Sequence, residues 1–158
     1  MRAFRTIVDR YAPKVAGVVK SMIGNTIEAD DVGQEVFIRL YHSLDQFKGE
    51  SSLSTYLVRI AINLSLNELK RRKRRSVFFR PIEEGRSVST DVGADLNEAL
   101  FNQIHQLEPE FKAVVTLRMI EGYSVKETAS ILDVPVGTVL SRLHRAQQKL
   151  KDVLSNQG

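Results

Sequence analysis

Three sets of side chains in this sequence have types and spacings that could do chemistry. The first is a run of six cations, Lys70-Arg71-Arg72-Lys73-Arg74-Arg75, preceded at helical three- and four-residue steps by Arg59, Asn63 and Asn67. Cations attract phosphates without regard to sequence, whereas a carboxamide donates to and accepts from one base edge. The second set is Thr138, Ser141, Arg142 and Arg145, with His144 beside them and Lys126 upstream. Hydroxyls and guanidinium groups on one helical face suit a DNA groove. The third is acidic: Asp31, Gln34, Glu35 and Ile38 lie about a turn apart, a polar face with one apolar contact that suits a protein partner. Each set also has a plainer reading. A basic run can be a solvated or targeting segment, and acids near a helix start can simply favour its dipole.

Enzyme chemistry finds no comparable constellation. His42, His105 and His144 are scattered, no carboxylate pair or Ser/His arrangement has catalytic context, and there is no cysteine. Thiolate metal sites, disulfides and thiol nucleophiles are thereby excluded, and no metal or cofactor is expected. A chain of 158 residues with 42% apolar and 27% charged residues has the composition of a folded globular protein. Its net charge of +4 comes from 23 basic and 19 acidic residues; without the six-residue run, 17 basic residues would face 19 acidic ones. The charge is therefore local. Glu28, Asp30, Asp31 and Glu35 crowd one stretch, and Glu83, Glu84, Asp91, Asp95 and Glu98 another. The N-terminal MRAFRTIVDRY lacks an apolar core, so a secretory signal is not expected. No apolar run approaches the ~20 residues of a membrane span.

The elements that must position these groups are helical. Apolar residues from Phe4 to Met22 follow a helical period, with Pro13 expected to kink or divide that helix and Gly24-Asn25 to stop it. A second helix is predicted over about 28–44, with Val32, Val36, Leu40 and Leu44 on one face, and a third over about 53–75, packing Leu57, Ile60, Ala61 and Leu64. Residues 76–97 mix Pro, Gly, Ser and acids without a period and read as a linker. Helices are then predicted over about 96–106, 109–121, 124–132 and 136–154. The expected fold is all-α: two small helical domains, 1–75 and 98–158, joined by a flexible linker, the second a helix-turn-helix.

Ser124-Val125-Lys126-Glu127 has the pattern of a capping box, in which serine and glutamate side chains each satisfy the other's backbone N–H. Asp133-Val134-Pro135 turns the chain, with Asp133 in the position that favours left-handed backbone. In the next helix Val139, Leu143, Ala146, Leu150 and Val153 form an apolar stripe, and Thr138, Ser141, Arg142, Arg145 and Lys149 a polar one.

These residues also carry a resemblance. The run from Tyr123 to Ala146, with Pro135-x-Gly137-Thr138-Val139-x-Ser141-Arg142-x-x-Arg145-Ala146, resembles region 4 of bacterial extracytoplasmic-function (ECF) sigma factors of the sigma-70 family. Asp30-Asp31-Val32-Gly33-Gln34-Glu35-Val36-Phe37 is similar to region 2.2, and Tyr56-Leu57-x-x-Ile60-Ala61-x-Asn63 with the basic run to regions 2.3 and 2.4. The chain departs from the family at Tyr56, where Trp is usual, at Asn67, where Asp is common, at Gly33 and at Leu140, often a basic position.

The resemblance implies a cytoplasmic bacterial factor, not an enzyme, that binds RNA polymerase core and directs initiation from −10 and −35 promoter elements. It implies that Asp31, Gln34, Glu35 and Ile38 dock the clamp helices of the polymerase's largest subunit. It assigns −10 recognition to Phe47, Lys48, Gly49, Ser51 and Ser52 in the 46–54 loop, where a flipped base would be captured, and to Arg59, Asn63, Asn67, Lys70, Arg71 and Arg74. Phe47 could equally be core. It assigns −35 recognition to Lys126, Thr138, Ser141, Arg142, His144 and Arg145, with His144 either groove-facing or half-buried. An anti-sigma partner is implied too; a small-molecule substrate and membrane insertion are not. The competing readings are a sigma-like interaction module that starts no transcription, and a helix-turn-helix repressor.

Overall fold

The computed structural model describes residues 2–47, 52–78 and 96–156, and among them every regular element is a helix. They are α1 (Arg2–Ile23), α2 (Ile27–Ser43) followed by a 3-10 turn (Leu44–Gln46), α3 (Leu53–Phe78), α4 (Leu96–Gln106), α5 (Pro109–Val115) continuing into a π-helical turn (Thr116–Ile120), α6 (Val125–Leu132) and α7 (Val136–Asn156). Most of the expected linker lies outside the described residues.

Local chemistry sets most boundaries. The Thr26 hydroxyl accepts from Ala29 N at 3.3 Å and starts α2, with Glu28 and Asp30 in its first turn. The capping box is complete: Glu127 N donates to Ser124 Oγ and Ser124 N to Glu127 Oε1, both at 3.0 Å. Asp133 is left-handed at φ 55°, and Val134 N reaches Ala129 O while Asp133 N reaches Ser130 O. This Schellman pair closes α6 before Pro135. Gly24, at φ 83°, ends α1.

Two sequence expectations need correction. Pro13 does not divide α1, which runs unbroken from Arg2 to Ile23. The proline lies exposed, so the carbonyl that loses its partner one turn earlier can be hydrated, while Val15, Val18, Val19 and Met22 bury the opposite side. On α3, Leu57 and Ala61 are buried as expected, but Val58, Ile62 and Ser65 join them, and Ile60 and Leu64 are only half-buried. The C-terminal half covers a second side of α3, which widens and rotates its buried face.

The main core joins α1, α2 and α3 through Val18, Met22, Val36, Leu40, Leu57 and Ile62, and it continues into Ala113, Leu117, Tyr123 and Ile131 of the C-terminal half. Two smaller clusters lie within that half. One holds Ile104, Leu107, Phe111, Val115, Ala146 and Leu150; the other holds Val114, Ala129 and Val139. Met22 O accepts from Lys112 Nζ at 3.1 Å, and Arg59 Nη2 donates to Ser130 O at 3.2 Å. The two halves thus pack directly on each other.

Candidate polymerase and nucleic-acid interfaces

Asp31, Gln34 and Ile38 project into solvent from α2, and Ile38 keeps 49% of its surface exposed. Glu35 is half-buried and pairs with Arg39 at 3.4 Å. A groove of about 560 Å³ separates this face from α3, with Asp31 and Glu35 on one wall, Asn67, Arg71 and Arg75 on the other. An adjoining groove of about 380 Å³ adds Ile38, His42, Tyr56 and Asn63. The acids assigned to a protein partner and the amides and cations assigned to DNA therefore share one cleft. Glu28, at its end, has its carboxyl held below the ordinary range, first by its own backbone N–H, then by Thr26 and the charges of Arg72 and Arg75.

Asn63 and Asn67 are exposed one turn apart, and Lys70, Arg71 and Arg74 are exposed beyond them. The six cations divide their labour. Glu68, buried in α3, lies 3.5 Å from both Arg71 and Arg72. Arg72 also donates to Ile23 O at 3.0 Å and to Thr26 Oγ1 at 3.2 Å, tying α3 to the end of α1. It is a strut within the fold, whereas Lys70 and Arg74 face outward.

Phe47 is half-buried, its ring 5.1 Å from that of Tyr56, whose hydroxyl donates to Ser43 Oγ at 2.8 Å. Lys48, Gly49 and Ser51 lie outside the described residues. Ser52 is exposed, and its hydroxyl oxygen accepts from Thr55 N at 3.1 Å, so it caps α3. Arg59 is half-buried and engaged with Ser130 rather than open to solvent.

In the C-terminal half, Lys126, Ser141, His144 and Arg145 are exposed, and Thr138 is half-buried. His144 is thus on the solvent side of α7. Arg142 Nη2 lies 3.8 Å from Glu110 Oε2. Leu140 keeps 50% of its surface exposed. Val139, Ala146 and Leu150 seal the inner side of α7, so the outer stripe is held at a fixed angle.

The sequence reasoning passed over two contributors. Tyr56 sits at positions i, i+4, i+7 and i+11 with Ile60, Asn63 and Asn67, a spacing that could have placed it in the groove. His42 had no such signal, because only the pairing of α2 with α3 brings it there. The described residues hold no group of side chains suited to a metal ion, and no helix long and apolar enough to cross a membrane.

Comparison with known proteins agrees with this layout. The family description Sigma-70 region 2 matches residues 7–75, and Sigma-70 region 4 matches residues 97–150. The chain is 36% identical to the ECF RNA polymerase sigma-E factor of Haemophilus influenzae, covering 96% of this chain and 87% of that one. It is 33% identical to the ECF RNA polymerase sigma factor SigW of Bacillus subtilis, covering 96% and 89%. The structure of CnrH in complex with the cytosolic domain of CnrY aligns at a TM-score of 0.74 and 27% identity over 99% of this chain and 90% of that one. The sigma factor RpoE in complex with the anti-sigma factor NepR, from Bartonella quintana, shares the fold at a TM-score of 0.79 and 20% identity over 98% of both chains. With both family regions matched in order and relatives matched along nearly its whole length, this chain belongs to the ECF RNA polymerase sigma factors of the sigma-70 family.

Proposed function

We propose that this chain binds RNA polymerase core through α2 and directs it to promoters by reading a −10 element with α3 and a −35 element with α7. The observation that carries the reading is the exposed polar and acidic face of α2 beside the exposed amides and cations of α3, together with a second exposed polar, basic face on α7. A repressor would have no use for the α2 face. Asp31, Gln34, Glu35 and Ile38 form the polymerase contact, an exposed apolar side chain ringed by acids and an amide.

Asn63 and Asn67 read base edges across the cleft, and Lys70, Arg71 and Arg74 hold phosphates. Lys48, Gly49 and Ser51 belong to the loop proposed to receive an extruded base, with Phe47 and Tyr56 as its apolar wall. Opening the duplex then rests on capture of unpaired bases, which offsets an unstacking cost of a few kcal/mol. Thr138, Ser141, Arg142, His144 and Arg145 enter or straddle the −35 major groove, and Lys126 meets phosphate. The factor works in the bacterial cytoplasm without a cofactor, and an anti-sigma protein restrains it.

Run-off transcription with purified core polymerase on genomic promoter fragments tests this. A promoter-specific transcript is expected, and its absence would overturn the assignment. Arg142→Ala should weaken use of −35-dependent promoters about tenfold, since a bidentate base contact is worth ~1–3 kcal/mol, and leave core binding unchanged.

A further inference from the structure

The outer side of α7 carries residues that neither the helix nor the core asks for. Val136 and Leu140 stand about one turn apart and keep 43% and 50% of their surfaces exposed. Neither belongs to the apolar clusters that seat α7, which draw instead on Val139, Leu143, Ala146 and Leu150. Gly137, exposed between them, weakens a helix relative to alanine. No neighbour requires the glycine, because an added Cβ would meet nothing within 4 Å. A single exposed leucine is ordinary. Two large apolar groups on adjacent turns, flanking bare backbone, make a shaped surface.

The neighbours of this surface indicate what it meets. Exposed Ser141 follows Leu140, exposed His144 lies one turn beyond it, and exposed Arg145 comes next. The apolar pair therefore opens the polar, basic stripe, at the end of a helix-turn-helix reading helix that reaches base edges. A protein partner would need a far larger patch, since a stable interface takes about 800 Å² from each side. The major groove offers one apolar group of the right size, the 5-methyl of thymine. An α-helix about 10–12 Å across fills a groove about 12 Å wide. Leucine is shorter than arginine, so it touches a base only where the helix lies deep. The missing side chain at Gly137 removes one obstacle to that approach.

We propose that Leu140, with Val136 beside it, reads a thymine methyl in the −35 element and is a specificity-determining residue of this chain. The inference rests on the promoter-reading function above and names base chemistry that α7 selects. Hydroxyl and guanidinium donors on the same stripe recognise hydrogen-bonding edges, and those edges are the same in thymine and uracil. An apolar side chain against the methyl distinguishes the two.

The test uses holoenzyme assembled from the full chain and purified core polymerase. Promoter DNA is selected by this holoenzyme from a random pool, and each thymine of its −35 element is then replaced in turn by deoxyuridine. That change removes the methyl and keeps the hydrogen-bonding edge. At one or two positions the unaltered protein should bind the deoxyuridine DNA about fourfold more weakly, the ratio for burial of one methyl-sized group. Leu140→Ala should lose about as much on the thymine DNA and nothing further on the deoxyuridine DNA. Its melting temperature should match that of the unaltered protein, because the side chain lies outside the core. A selected −35 element without thymine, equal binding of both DNAs by the unaltered protein, or an undiminished thymine preference in Leu140→Ala would overturn the inference and leave promoter reading standing. Failure to select any −35 element would overturn the promoter function and this inference with it.

Discussion

The two halves of this molecule hold the helices proposed to face DNA on very different foundations. The N-terminal half buries α1, α2 and α3 against one another through a single continuous core, with Val18, Met22, Val36, Leu40, Val58 and Ile62 all within 1% of full burial. The C-terminal half has two small clusters, and it places Ala113, Leu117, Tyr123 and Ile131 in the other half's core. A small helical unit buries too little apolar surface to be robust alone. The contrast teaches that the C-terminal half gains stability from its neighbour, while the N-terminal half supplies most of its own.

The sharpest way to break this comparison is Leu117→Ala. Leu117 is fully buried where the halves meet, so truncation should cost about 2–5 kcal/mol. Urea unfolding should show one cooperative transition displaced as a whole. A C-terminal transition moving beneath a stationary N-terminal one would mean that the halves are independent.

The next effect is on pH dependence. Burial, followed by the charge of Arg72, lowers Lys112 to about 8 from the ordinary 10.5. Between those values the unfolded chain holds a proton that the packed chain has lost, so stability rises with pH. The penalty of burying the charged form is complete below pH 8 and relieved as pH approaches 10.5. Across that window the unaltered protein should gain on the order of 3 kcal/mol relative to Lys112→Met. Parallel urea midpoints for the two proteins from pH 7 to 10.5 would refute this burial.

Ser124→Ala probes the C-terminal half by itself. It removes the hydroxyl from a closed capping box and should destabilise α6 by about 1 kcal/mol. The loss should appear in thermal melts and as faster amide exchange in α6, with α2 unaffected. The smallest effect has the opposite sign and belongs to the N-terminal half. Gly33 sits inside α2 with helical backbone, and an added Cβ meets nothing within 4 Å. Gly33→Ala should therefore stabilise by about 0.5–1 kcal/mol, seen as a higher melting temperature.

Legibility followed the range of the interactions. The all-helical class, the three helices of the N-terminal half and the helix-turn-helix were all readable, because amphipathic period and caps are encoded within a few residues. The roles of individual cations were not. Lys70 to Arg75 read as one basic block, yet Arg72 is a strut to Ile23 O and Thr26, and Arg71 lies against buried Glu68. Ser52, which the resemblance assigns to the base-capturing loop, also caps α3, a contact only the structure shows. Arg59 shares the period of Asn63 and Asn67 but is drawn to Ser130, 71 positions away in sequence.

The sequence by itself determined the capped start of α6, the left-handed stop at Asp133 and the apolar stripe that seats α7. Each depends on a side chain meeting backbone or neighbours within about one turn. Only the tertiary structure decided which face of α3 is buried, that acids and amides share one cleft, and that Lys112 closes the end of α1. Those outcomes depend on groups up to 90 residues apart, whose encounter is governed by the packing of whole helices. A periodic pattern records that a face must be covered, but it does not record by what.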